Sequence, residues 1–211
     1  ARGVRGTRVV VEFPLGDSSP EALVDAVASM LEGGALPCPV EVRFAQARAA
    51  SLAECPGLSE AAEAPGPGTV LVAVAPAAAD VPVLSRLVAQ HAWEGVVVFN
   101  PEWGVVAAQG EHRAFLETFA VVYSLLPLQI EGFMGLKTEG AVFRCLPEGG
   151  AIGALPWEIY ASEGKAMKLI ASTAQRPGNE EIEESFYNNM ARESPINQGI
   201  RALRQTFGMS E

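Results

Sequence analysis

Six residues stand where this sequence could do chemistry: Glu12, Asp17, Asp80, Asn100, Glu102 and Trp103, at or shortly after the ends of apolar, β-branched runs. The runs are Arg8 to Phe13, Thr69 to Ala75 and Gly95 to Phe99. In an open parallel sheet, ligands bind beyond the carboxyl ends of the strands, so these side chains would gather on one rim. Glu12 or Glu102 could act there as a general base, with the Trp103 indole as a platform for a flat substrate. The same residues also suit an ordinary surface. Rim carboxylates are commonly solvated, Trp103 can pack under a loop, and no basic residue stands among them to hold an anionic substrate.

Other catalytic patterns are missing or out of context. Phosphate-cradling loops put small residues after a strand so that backbone N–H groups can approach an anion at a helix start. Here the first such turn is Phe13-Pro14-Leu15-Gly16-Asp17, with one glycine and an acid. The glycine-bearing stretch Gly132 to Lys137 reads as following a helix, without the required strand before it. Zinc needs about four nitrogen or sulfur ligands at regular spacing, which His91, His112 and three scattered cysteines do not supply. The histidines read as surface residues. No serine sits in a GxSxG turn. No catalytic, metal or cofactor residue is assigned.

Composition narrows the partners. A net charge of −10 argues against a general nucleic-acid binder and against broad adhesion to anionic lipid. Attachment to a membrane would then run through a protein. Cys38, Cys55 and Cys145 are odd in number and lack CxxC pairing, which suggests a reducing compartment. The apolar run Phe119 to Leu128 is about half the roughly 20 residues a spanning helix needs. The first residue is not Met, and Arg2, Arg5 and Arg8 precede the first acid, so the chain either begins just after a removed targeting segment or has been trimmed.

The elements that would position the rim follow from periodicity. Arg8 to Phe13 reads as a buried strand closed by Pro14 and Gly16. Ser18 with Glu21 offers a capping box, Pro20 suits a first turn, and Leu23, Val27, Met30 and Leu31 share a helical face that ends at Gly33-Gly34. Val40 to Ala45 reads as a strand, and Ala47 to Gly68 as a loop with a short helical possibility at Arg48 to Glu54. Thr69 to Ala75 is the continuous apolar run of a strand buried on both faces. A helix over Val81 to Ala92 and a strand over Gly95 to Phe99 follow. This alternation predicts βαβ crossovers and a parallel sheet.

Beyond Val105 the texture changes. The spacing predicts a helix from Arg113 to Leu126 ended by Pro127, with Phe115, Phe119, Val122, Tyr123 and Leu126 inward. Three strands come next, Ala141 to Leu146, Pro156 to Ala161 and Met167 to Thr173, joined by glycine-containing turns as an antiparallel extension. Asn179 caps a further helix with Ile182, Phe186 and Met190 on its buried line. The expectation is one α/β domain over residues 1–188 with a mixed, mainly parallel sheet, and a helical extension over 189–211.

Two apolar stretches could meet a partner. Leu128, Ile130, Phe133, Met134 and Leu136 follow the predicted helix and are broken by glycine; such a run also reads, and reads better, as an internal connection packed on the sheet. In the extension, Ile200, Leu203 and Phe207 line one side with Arg204 beside them, a pattern suited to a groove on another protein or to back-packing on the parent domain. Phe133, Met134, Ile200, Leu203, Arg204 and Phe207 are the candidate partner-binding residues.

A run of segments also resembles a known family: RVVVEFP at Arg8 to Pro14, TVLVAVAP at Thr69 to Pro76, VVVFNPEW at Val96 to Trp103, FAVVYSLLPLQI at Phe119 to Ile130, GAVFRC and PWEIY at Gly140 to Cys145 and Pro156 to Tyr160, and RPGNEEI at Arg176 to Ile182. In this order they resemble the chloroplast and cyanobacterial domain of the low-photosystem-II-accumulation assembly factors. The resemblance implies a protein of the chloroplast stroma, peripherally associated with thylakoids. It would be a monomer when free, binding the stromal side of photosystem II core subunits during assembly or repair. Members of this kind are not known as enzymes, so no catalytic residue carries over. A similar domain joined to adenylate kinase in plants keeps a nucleotide-binding alternative open at the rim of Glu12, Asn100 and Glu102. The loop Ala47 to Gly68 and everything after about Asn188 depart from the shared pattern.

Overall fold

The computed structural model describes residues 6–17, 19–33, 38–60, 63–103, 110–131, 137–147 and 155–193. Its elements are β1 (Thr7–Glu12), α1 (Pro20–Gly33), β2 (Val40–Phe44), α2 (Ala47–Leu52), β3 (Val70–Val74), α3 (Val81–Gln90), β4 (Gly95–Phe99), α4 (Arg113–Leu116), β5 (Ala120–Glu131), β6 (Lys137–Cys145), β7 (Trp157–Glu163), β8 (Ala166–Thr173) and α5 (Asn179–Glu193). Eight strands hydrogen-bond in the order β2-β3-β4-β1-β5-β6-β7-β8. The chain forms two compact units, Ala1–Ser124 and Leu125–Glu211.

In the first unit every strand pair is parallel. From β1 the chain passes through α1 to the far edge at β2, then walks back through β3 and β4 to lie beside β1. Successive strand residues face opposite sides, so one sheet feeds two cores. Leu71, Ala73, Val96 and Val98 join Leu84 and Leu87 of α3. Val72, Val74 and Phe99 join Leu23 and Val27 of α1 and Ala49 and Ala50 of α2. Burial on both faces is why these strands read as unbroken apolar runs. Each Leu or Val so buried is worth about 1.5–3 kcal/mol over leaving it exposed.

Local signals set the helix ends. Ser19 caps α1, its hydroxyl accepting the Ala22 N–H at 3.1 Å, with Pro20 as the first helical residue. The expected cap, Ser18, lies outside the described residues. Trp93 N–H donates to the Leu87 carbonyl at 3.2 Å, serving the last turn of α3. A Gly178 N–H bond to Glu181 at 3.0 Å opens α5, so the cap precedes Asn179 rather than being it.

One expected element is overturned. The helix predicted for Arg113 to Leu126 is the single turn α4 followed by the twelve-residue strand β5. β1 pairs with β5 only through Ser124. Pro127, exposed and past that ladder, can therefore occupy a strand without leaving a β1 carbonyl unpaired.

In the second unit β6, β7 and β8 are antiparallel, as expected. Trp157, Ile159 and Ala161 alternate on one buried face, where Ile182 and Phe186 of α5 are also buried. The guanidinium groups of Arg144 and Arg176 each lie 5.3 Å from the Trp157 ring centre. α5 runs through Glu193, past residue 188, where the domain was expected to end.

Candidate functional site

The rim exists where the strand reading placed it, and Asn100 organises it. Just past β4, Asn100 adopts φ 46°, a left-handed conformation that asparagine tolerates better than most residues. Its side-chain oxygen accepts the Phe13 N–H at 2.6 Å and its side-chain amide donates to the Phe13 carbonyl at 2.9 Å. Its own N–H donates to the Val11 carbonyl at 2.8 Å. The three bonds extend the β1–β4 ladder beyond the strands. Phe13 then stacks on Tyr123, with ring centres 6.2 Å apart.

The other rim residues are engaged in similar work. Glu12 accepts a bond of 2.6 Å from the hydroxyl of Ser124, which is wholly buried. Asp80 accepts the Ala77 N–H at 2.9 Å and so closes the short turn Ala78–Asp80 before α3. Asp17 accepts the Ser19 N–H at 2.9 Å, and bonds from the Ser19 side chain and backbone hold its carboxyl below the ordinary aspartate range. Glu102 is exposed; its backbone bridges to Ala77, with its N–H on the Pro76 carbonyl at 2.9 Å. Trp103 packs on the α3 side of the sheet, 6.2 Å from the Phe119 ring. The structure thus brings Glu12 and Asn100 to the end of β1, and Asp80 and Glu102 to Ala77. Trp103 faces the core rather than offering a platform.

This geometry makes Asn100 a structural staple. Asn100→Ala is expected to lower folding stability by about 2 kcal/mol through the lost Phe13 bonds and the left-handed strain on a Cβ. Asn100→Gly should recover about 1 kcal/mol of that by relieving the strain alone. Urea unfolding of the three proteins checks both values, and equal losses for Ala and Gly would remove strain from the account.

Among the described residues, one concave space lies at the opposite ends of the strands. A cleft of about 670 Å³ opens at the amino-terminal ends of β1, β3 and β4, with Arg8, Pro65, Gly68, His91, Trp93 and Glu94 in its lining. Arg8 lies over the Phe115 and Phe119 rings at 5.5 and 5.9 Å and donates to the Thr118 hydroxyl at 2.8 Å. His91 meets Trp93 edge-on at 5.9 Å. The lining mixes one guanidinium, one carboxylate, an imidazole and an apolar floor, which suits holding a small polar group. The strand-end rule looks to the other rim, so the sequence reading missed these residues. Their sequence signal was the Pro65-Gly66-Pro67-Gly68 run directly before a strand.

His112 sits 3.3 Å from its neighbour Glu111. All three cysteines are free thiols, and burial pushes that of Cys55 up. Among the described residues no group of three or more His, Cys, Asp or Glu could hold a metal ion, and no helix is long and apolar enough to cross a membrane. The candidate partner-binding residues Phe133, Met134, Ile200, Leu203, Arg204 and Phe207 all lie outside the described residues. What can be placed is the context of the first two: they connect strands β5 and β6 and do not follow a helix.

Neither the curated proteins nor the solved structures give a significant match to this chain. A family described as a domain of unknown function, DUF1995, does match, over residues 2–184 of 211. That span holds both strand ladders, the rim, the cleft and the first turns of α5, and the chain therefore belongs to the DUF1995 family.

Proposed function

We propose that this chain is a non-enzymatic auxiliary factor of the chloroplast stroma. It binds the stromal side of photosystem II during assembly or repair and attaches to thylakoids only through protein partners. The ordered resemblance of its segments to the low-photosystem-II-accumulation factors supports the partner. Family membership over the same stretches agrees with that resemblance. The observation that carries the non-enzymatic part is the occupation of the rim: Asn100, Glu12, Asp17 and Asp80 hold backbone and a buried hydroxyl. These bonds commit Glu12 to the protein's own groups, and Glu102, the exposed base candidate, lacks the Trp103 platform, which is turned to the core.

Affinity-tagged protein is expected to co-migrate with photosystem II intermediates on native gels, identified by mass spectrometry. Co-migration should weaken when the chain is ended after Glu193, removing Ile200, Leu203, Arg204 and Phe207 while keeping α5 whole. Absence of the photosystem from the complex would overturn the reading. The rival is a small-molecule or nucleotide-binding enzyme, which the amino-end cleft favours more than the rim does. A ligand at 100 times its Kd would stabilise the fold by about 2.7 kcal/mol. Nucleotides and tetrapyrroles are expected to leave the melting temperature unchanged, and a specific shift abolished by Arg8→Ala would establish the rival.

A further inference from the structure

The two edges of the sheet are finished differently. At β2 the carboxyl end of the outer side is closed from within: Leu58 N–H donates to the Phe44 carbonyl at 2.8 Å and Phe44 bridges to Gly57. The buried Arg43 clamps the same segment through the Gly57 and Glu60 carbonyls. At β8, among the described residues, nothing pairs with the outer side. An open edge is a template for another chain, and proteins usually blunt it.

This edge is also apolar. Met167 and Leu169 are each 49% exposed. They lie opposite Ser162 and Tyr160, so they share a face with Tyr160 and with Phe143, whose ring is 6.4 Å from that of Tyr160. α5 packs on the other face, where Gly140 pairs with Ala161 and the Phe186 ring lies against Gly140. The helix on β8 is acidic: α5 packs on β8 and carries exposed Glu180, Glu181, Glu183 and Glu184, in a chain of net charge −10, while Lys165 and Lys168 stand on the β7–β8 hairpin itself. Pairing is interrupted once. Ile159 faces Ala171 and Tyr160 faces Leu169, leaving Ile170 as a bulge that confines a straight ladder to Ala166–Leu169.

We propose that the outer edge of β8 is a docking site for a short extended segment of a partner polypeptide. The segment adds as a further strand, sets alternate apolar side chains against Met167 and Leu169, and carries lysine or arginine flanks that meet the α5 glutamates. This rests on the protein-binding reading above and supplies a surface for it among the described residues. The bulge and Lys168, 3.7 Å from Glu163, make the edge unsuited to long, flat self-pairing. The net negative charge also opposes a second copy.

The test uses the full chain and a fluorescent Lys-Val-Thr-Val-Thr-Lys peptide, with a Glu-Val-Thr-Val-Thr-Glu peptide as its charge-reversed counterpart. The lysine peptide is expected to bind and to slow amide exchange across Ala166–Thr173. The double variant Met167→Lys with Leu169→Lys should weaken binding about tenfold by losing two cross-strand pairs and adding like charge. Its unfolding midpoint should hold, since both side chains are half-exposed. Equal binding of both peptides, or exchange slowed only in α5, overturns the proposal. So does a dimer in sedimentation that the double variant dissolves, which would make the edge a self-interface. Exchange at β8 that quickens when residues 194–211 are removed also overturns it, by showing the chain's own tail as occupant. Co-migration with photosystem II separates the two levels. If wild type co-migrates and the double variant does so equally, the β8 edge falls and the photosystem reading stands. Peptide binding without co-migration does the reverse.

Discussion

Replacing Gly140 with alanine is expected to cost about 3 kcal/mol of folding stability. A Cβ at this position would overlap the Tyr160 carbonyl and the Phe186 ring, with a second Phe186 carbon at 3.1 Å. The carbonyl belongs to the β6–β7 ladder and moves only if the ladder does. The ring is 1% exposed and anchors α5, so it has little room to retreat. Phe186→Ala alone should cost about 3–5 kcal/mol as a cavity mutation. In the Gly140→Ala background the same truncation should cost about 1–2 kcal/mol less, because it removes half of the clash. Urea denaturation of the four proteins closes the cycle. Strictly additive losses would mean that the added methyl is accommodated elsewhere.

The second large effect is expected at Arg43. It is 3% exposed on β2, with its Nε donating to Glu41 at 2.7 Å and one Nη to the Gly57 and Glu60 carbonyls at 3.0 and 2.9 Å. Because Glu41 is 26% exposed, water screens the ion pair, and the carbonyl bonds carry most of the interaction. Arg43→Met leaves those carbonyls without this donor and should cost about 3 kcal/mol. Arg43→Lys should recover only part of the loss, since a compact ammonium does not reproduce the planar fork. The Met variant should also scatter light on mild warming, because the segment that closes the β2 edge is released. A stability change below about 1 kcal/mol with no added scattering would contradict this account.

The parallel half of the sheet was legible because its residues carry strong local signals. Unbroken Val and Leu runs, flanked by caps and turns, have few alternatives as strands buried on both faces. The stretch from Phe119 to Leu126 misled for the opposite reason. It is apolar at nearly every position, so it shows neither a period of two nor one of 3.6, and Pro127 imitated a helix stop. Only the pairing with β1, far away in sequence, decides that it is a strand. Ser19 accepts the Ala22 N–H as cap because Pro20, directly after it, is the first helical residue.

The rim was legible in place but not in role. Strand-end residues can be read from any parallel pattern, whereas the Asn100 bonds to Phe13 depend on how two loops separated by most of the first unit meet. The β8 edge was less legible still. Leu169, Ile170 and Ala171 follow one another without alternating, which hides Met167 and Leu169 as one face, and openness is a property of neighbours, not of the strand itself.

The placement of β1 has a consequence for how the molecule is made. It precedes every other strand, yet it lies inside the sheet, with Val10 opposite Val98 on one side and Val121 on the other. At ordinary translation speeds both partners leave the ribosome roughly ten seconds later. Until then β1 is an apolar ribbon with two unsatisfied margins, and no amino-terminal fragment shorter than about Ser124 can complete it. The first unit is therefore high in contact order, and completion of its sheet is expected to be slow beside that of a fold built from neighbouring strands.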